Sequence, residues 1–117
     1  MYAEILFDGD RPHNVGGALR AAYVLQASAQ AIVNAVDFGM TMTEAIAAPC
    51  INMTKNQIVG VSNRIPQYVI DEVEEMYYGL ICNYLNYAFA RVHGVKAIGD
   101  DWKCDTDPGR DDVALMV

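Results

Sequence analysis

The chain has 117 residues, 53% apolar and 20% charged, with 8 basic against 15 acidic side chains and a formal net charge of −7. That mixture excludes intrinsic disorder, and the acidity argues against nucleic acid and anionic membrane surfaces as partners, since both select basic patches. The length fits one domain, residues 1–117, but a small one for so much apolar material, which points to burial against something outside the chain.

Residues 2–7, Tyr-Ala-Glu-Ile-Leu-Phe, have strand character, with Glu4 and Asp8 where a signal peptide would be apolar. Asp8-Gly9-Asp10-Arg11-Pro12 supplies turn chemistry. Gly16-Gly17 is expected to open the clearest helix, with Ala22, Leu25, Ala29, Ile32, Val33 and Val36 recurring at helical spacing. Arg20 is its one charge, and a helix so nearly neutral all round is expected to be covered on more than one side. Gln26, Ser28, Gln30 and Asn34 interrupt the apolar run, which falls short of the roughly 20 residues of a membrane span. Gly39 ends the helix.

Thr41-x-x-Glu44 is a capping box for a second, short helix that Pro49 stops. Residues 50–64 read as short strands around a turn at Lys55-Asn56. Pro66 suits the first turn of a third helix, with Val69, Ile70, Val73, Met76 and Tyr77 on one face and Asp71, Glu72, Glu74 and Glu75 on a solvated one. Gly79 closes it. Strands are then expected over 80–84, 87–98, 102–104 and 113–117, with a turn at Gly99-Asp100-Asp101. The sum is an α+β unit, helices packed on a mostly antiparallel sheet.

Cys50, Cys82 and Cys104 are an odd number at wide spacing with no CxxC, which signals neither a disulfide framework nor zinc and gives a reducing cytoplasm as the default location. His13 and His93 are isolated, and neither spacing favours a metal site; no cofactor is expected. Cys50 could serve as a nucleophile, but it follows Pro49 with no partner in sequence and reads as a buried structural thiol. Six carboxylates lie between Asp100 and Asp112. Asp105, Asp107 and Asp111 could bind Ca²⁺, although the loop lacks EF-hand positions and reads as a solvated turn with Arg110 pairing an aspartate. Tyr77, Tyr78, Tyr84 and Tyr87 read as packing residues.

Three segments, in order, resemble the C-terminal part of the γ-glutamyltranspeptidase small subunit. They are Gly16-Gly17 followed by Val24-Leu25-Gln26 and Asn34-Ala35-Val36-Asp37-Phe38-Gly39; Thr43-Glu44-Ala45 with Ala48-Pro49; and Phe89 to Gly94, Trp102 and Asp107-Pro108-Gly109-Arg110-Asp111. The resemblance implies part of an αββα N-terminal-nucleophile-hydrolase sandwich. It implies γ-glutamyl transfer or hydrolysis of glutathione-type substrates by a threonine freed through self-cleavage, its α-amine acting as base. Gly16 and Gly17 match the family's Gly-Gly, whose amides stabilise the oxyanion and line the glutamyl pocket; a helix N-terminus would suit that role.

The departures are specific. The family's nucleophile lies upstream of this region, and nothing here corresponds to it: Met1-Tyr2 offers no N-terminal threonine, and Thr41, Thr43, Thr54 and Thr106 are internal. His13-Asn14-Val15 stands for Ser-Pro before the glycines, Cys50 for an arginine and Asp112 for a glycine. The interval from Gly17 to Asn34 is longer by about one helical turn. The resemblance therefore implies a segment inactive by itself, completed by a second chain that supplies the nucleophile half or associated with its own copies, with a γ-glutamyl compound as ligand. A self-associating binding or structural protein that has lost the chemistry is the alternative.

Overall fold

A computed structural model describes residues 2–19, 23–53, 57–76, 78–84, 89–106, 108 and 115. In chain order the elements are β1 (Tyr2–Asp8), β2 (Arg11–Leu19), α1 (Val24–Val36), α2 (Met42–Ala47), β3 (Ile51–Met53), β4 (Ile58–Ser62), α3 (Gln67–Glu75), β5 (Gly79–Asn83), β6 (Arg91–Ile98) and β7 (Asp101–Thr106). The larger sheet has the order β1-β2-β6-β7, antiparallel throughout. The smaller has the order β3-β4-β5, and its β4–β5 pair is parallel, with α3 as the crossover a parallel pair requires. The α+β reading holds.

Two tight hairpins build the larger sheet. Gly9 and Gly99 take left-handed φ angles of 62° and 61° in their turns, where a side chain would be strained. Arg11 ties the turns together, its Nη2 donating to the Gly99 carbonyl at 2.6 Å and meeting Asp100 Oδ1 at 3.3 Å. Both side chains of this ion pair are exposed, so its contribution to stability is small.

Helices α1 and α2 cover one face of this sheet. Ala18, Val24, Ala27, Met42, Ile46, Ala90 and Val92 are buried between them. The capping box starts α2 as its sequence requires: Thr41 Oγ1 accepts from the Glu44 N–H, and the Glu44 carboxylate accepts from the Thr41 N–H. Past the end of α1, Gly39 at φ 63° lets the Met40 N–H reach back to the Asn34 carbonyl at 3.0 Å.

Several expectations need correction. Gly16-Gly17 does not open a helix: both lie inside β2, and α1 begins only at Val24. Backbone pairing to β1 on one side and β6 on the other holds this stretch extended, a tertiary constraint that outweighs the turn preference of two glycines. Gly79 does not close α3 but begins β5, where its backbone pairs with Ile58. Strand β6 starts at Arg91 rather than residue 87, while β7 is longer than expected at both ends. Helix α1 is covered by β2 and β6, by α2 and by β3, while Leu25, Val33 and Val36 on its remaining face are exposed. The Lys55-Asn56 turn, Tyr77, Tyr87, Asp107, Arg110, Asp111, Asp112 and, apart from Leu115, the strand over 113–117 lie outside the described residues.

Candidate functional site

Strand alternation sends successive side chains to opposite faces, so the β-register sorts the residues around Gly16-Gly17 into two rows. Glu4, Gly16 and Gly94 stand opposite one another on β1, β2 and β6 and face the helices. Ala3, Gly17, His93 and Thr106 form the neighbouring row across all four strands and face away from them.

On the helix side the glycines make room. The side chain of Met42, at the start of α2, occupies the place where a Gly94 Cβ would stand. A Cβ on Gly16 would come within 3.2 Å of Glu4 Oε1 and 3.3 Å of the His93 carbonyl. Glu4, Asn14, Gly16, Ile32 and Met42 surround a cavity of about 20 Å³ at this point. Burial there pushes the Glu4 carboxyl above its ordinary value, because a charge is less well solvated beside Gly16 than in water.

On the opposite side lies a shallow recess of about 270 Å³, lined by Val15, Gly17, His93, Cys104 and Thr106. Its one tightly fixed polar pair is His93 Nδ1 and Thr106 Oγ1, 2.6 Å apart. Next to this row runs another of Ile5, Val15, Val95 and Cys104, and beyond it lie Phe7, Ala97 and Trp102. Arg91, two positions before His93 on β6, shares this face, and Ile5 and Phe7 on it are more than half exposed.

The other candidates stay apart. Cys50 is half-buried rather than buried, with Sγ 3.5 Å from the Ala48 carbonyl. Cys82 is exposed on β5, and Cys104 is half-buried on β7. His13 lines a separate recess with Asp8 and Arg11 at the far end of β2. Among the described residues no three His, Cys, Asp or Glu side chains converge as metal ligands. Asp105 turns back on its own strand, accepting from the Thr106 N–H at 2.8 Å. Tyr84 is exposed. Among the described residues no helix is long and apolar enough to cross a membrane.

Sequence reasoning missed His93 as a partner of Thr106, because the two are 13 positions apart and meet only through the β6–β7 register. It did single out Gly16 and Gly17, though for a helix start they do not form.

The model of the gamma-glutamyltranspeptidase family matches the chain over residues 1–117. The chain belongs to the γ-glutamyltranspeptidase family. No curated protein matches it by sequence. The fold agrees with solved members of the family. It superposes on the gamma-glutamyltranspeptidase from Pseudomonas nitroreducens complexed with L-DON with a TM-score of 0.85 and 19% identity, covering 100% of this chain and 62% of that one. A mutant gamma-glutamyltranspeptidase from Helicobacter pylori gives 0.85 and 20%, covering 94% and 61%. Cephalosporin acylase from Bacillus halodurans gives 0.87 and 22%, covering 94% of this chain and 21% of that one. These matches show that the chain shares the α+β fold of those proteins. This γ-glutamyltranspeptidase-family chain spans about three-fifths of the length of the first two relatives.

Proposed function

We propose that this chain is a structural segment of a γ-glutamyl-transferring or -hydrolysing enzyme and holds no nucleophile of its own. The reaction is acyl transfer through a covalent ester on a threonine supplied from outside these 117 residues, followed by transfer to water or an amine. Glutathione-type γ-glutamyl compounds are the substrate class, and Gly16 and Gly17, whose backbone groups are committed to β1 and β6, leave room for the glutamyl group beside the sheet rather than donating to its oxyanion. The absence of a Cβ at both positions favours a close approach, and His93 is the adjoining side chain on the face that Gly17 shares.

The observation that carries this reading is the largely apolar face of the β1-β2-β6-β7 sheet. Ile5 and Phe7 are 57% and 56% exposed there, beside Val15, Val95 and Trp102. Apolar area of this kind, left open across four strands, is the mark of an interface. The share of its relatives' length that the chain spans agrees with a missing covering layer.

Incubation of the pure chain with a γ-glutamyl anilide tests the proposal. No aniline is released by the chain alone. Release that survives repurification, and is lost on substituting one of its own threonines or Cys50, would overturn it.

A further inference from the structure

Asn14 lies on β2 between the larger sheet and the helices. It is 5% exposed, and its Oδ1 has no hydrogen-bond partner among the described residues. A buried amide oxygen is rarely left in that state, because burial has taken away its hydrogen bonds to water. The register explains why no side chain of its own row serves it. Leu6, opposite on β1, has no polar atom to offer. Lys96, opposite on β6, directs its ammonium to the Ala35 and Met40 carbonyls at 2.7 and 3.1 Å.

Glu4 is the diagonal neighbour of Asn14. It pairs with Gly16, two positions further along β2, so the two side chains share the helix side of the sheet. Gly16 has no side chain to separate them, and Glu4 Oε1 reaches over it, 3.2 Å from where a Cβ would stand. Both residues line the cavity of about 20 Å³, with Gly94 and Met42 beyond them. A water molecule needs about 10–15 Å³ by this measure and two or more polar partners, so the space admits one water and the pair supplies its partners. The chemistry selects water as well. Two acceptors face the cavity, and a water donates one proton to each. When Glu4 is protonated, the same water accepts from the carboxyl and still donates to Asn14. An apolar occupant would leave Asn14 Oδ1 without a donor. A divalent cation needs more oxygen ligands than this pair, and among the described residues no third acidic, His or Cys side chain converges on it.

We propose that the cavity between Glu4 and Asn14 is a binding site for one internal water, which bridges the two side chains and braces β1 against β2 across Gly16. The bridge replaces the side-chain contact that Gly16 cannot make, on the strand that carries Gly17 on its other face. The proposal is independent of the γ-glutamyl reading, because it rests on packing between β1, β2 and the helices and requires no catalysis.

Water-to-protein NMR cross-relaxation on the wild-type chain gives the first test. The Hα protons of Gly16 and Gly94 show cross peaks to a water of long residence, with the sign that separates it from surface hydration; their absence would overturn the proposal, whatever any variant does. The second test is Asn14→Leu, which keeps the bulk and removes the acceptor. In the folded variant the cross peaks disappear, and the number of long-lived waters counted by oxygen-17 relaxation dispersion falls by one. That count does not respond to a proton on Glu4, so an unchanged count would refute the water and assign the contact to a direct carboxyl–amide bond. Exchanging sodium chloride for tetramethylammonium chloride at constant ionic strength leaves the Gly16 and Gly94 shifts of the wild type unchanged. A sodium-dependent shift would give the site to a cation and overturn the proposal.

Discussion

The Thr106 hydroxyl lies 2.6 Å from Nδ1 of His93, across the β6–β7 pair and in the same row as Gly17. It is a close polar contact on a largely apolar sheet face, and Thr106 is itself buried. A buried hydroxyl bonded to a ring nitrogen fixes the ring's orientation, and its loss shifts the balance between the two tautomers. Replacing Thr106 by valine keeps the shape and leaves Nδ1 without this partner. The variant is expected to lose about 1 kcal/mol in urea unfolding, and ring-nitrogen NMR is expected to show a changed His93 tautomer balance.

Lys96 performs a comparable task on the other side of the sheet. Its Nζ donates to the Ala35 carbonyl at 2.7 Å and to the Met40 carbonyl at 3.1 Å, so a cation closes the C-terminal end of a helix with no basic residue in its last turn. Lys96→Met preserves the half-buried stem but removes both bonds. Equilibrium unfolding is expected to show a loss of about 1–3 kcal/mol, the usual range for hydrogen bonds to a charged group.

Gly94 is required by Met42, whose side chain stands where a Cβ would go. Gly94→Ala is expected to destabilise by about 1–3 kcal/mol through overpacking. The cost is expected to shrink in a Met42→Ala background, and the double-mutant cycle measures that coupling directly.

Two carboxylates give opposite pH slopes. The Glu44 carboxylate accepts from the Thr41 N–H at 2.8 Å, and then from its hydroxyl at 2.9 Å, and these bonds hold it below the ordinary value. Its contribution is present above the unfolded value and is lost as pH falls through the lowered folded one. Thr41→Ala, which keeps the N–H and removes the hydroxyl, is expected to reduce that slope and to cost about 1 kcal/mol of cap energy. Burial raises Glu4 instead, so its contribution is full below the unfolded value and disappears as pH rises through the folded one. Glu4→Gln is expected to stabilise the chain at neutral pH and to flatten this second slope, both read from urea unfolding across the acidic range.

Local chemistry was legible in the sequence wherever local groups decide the outcome. The Thr41–Glu44 box and the turns at Gly9, Gly39 and Gly99 need only their neighbours in the chain. The family motifs were legible too, because they survive as short strings. Gly16-Gly17 misled because two glycines favour a turn locally, whereas Glu4, Gly94 and Met42, up to 78 residues away, decide that they form a strand. Gln26 and Gln30 read as mere polar interruptions of an apolar helix, since the backbone they satisfy comes more than 20 positions later. The second sheet escaped notice for the same reason: the parallel β4–β5 pairing is a non-local choice.

The proposed role makes the open face of the β1-β2-β6-β7 sheet an interface and the chain one part of a larger assembly. Mass measurement of the purified protein under native conditions tests this most directly. The expected result is a species heavier than the 12.9 kDa chain, either with a second, nucleophile-bearing polypeptide or as a multiple of itself. A stable monomer at 12.9 kDa that binds no hydrophobic dye would contradict it.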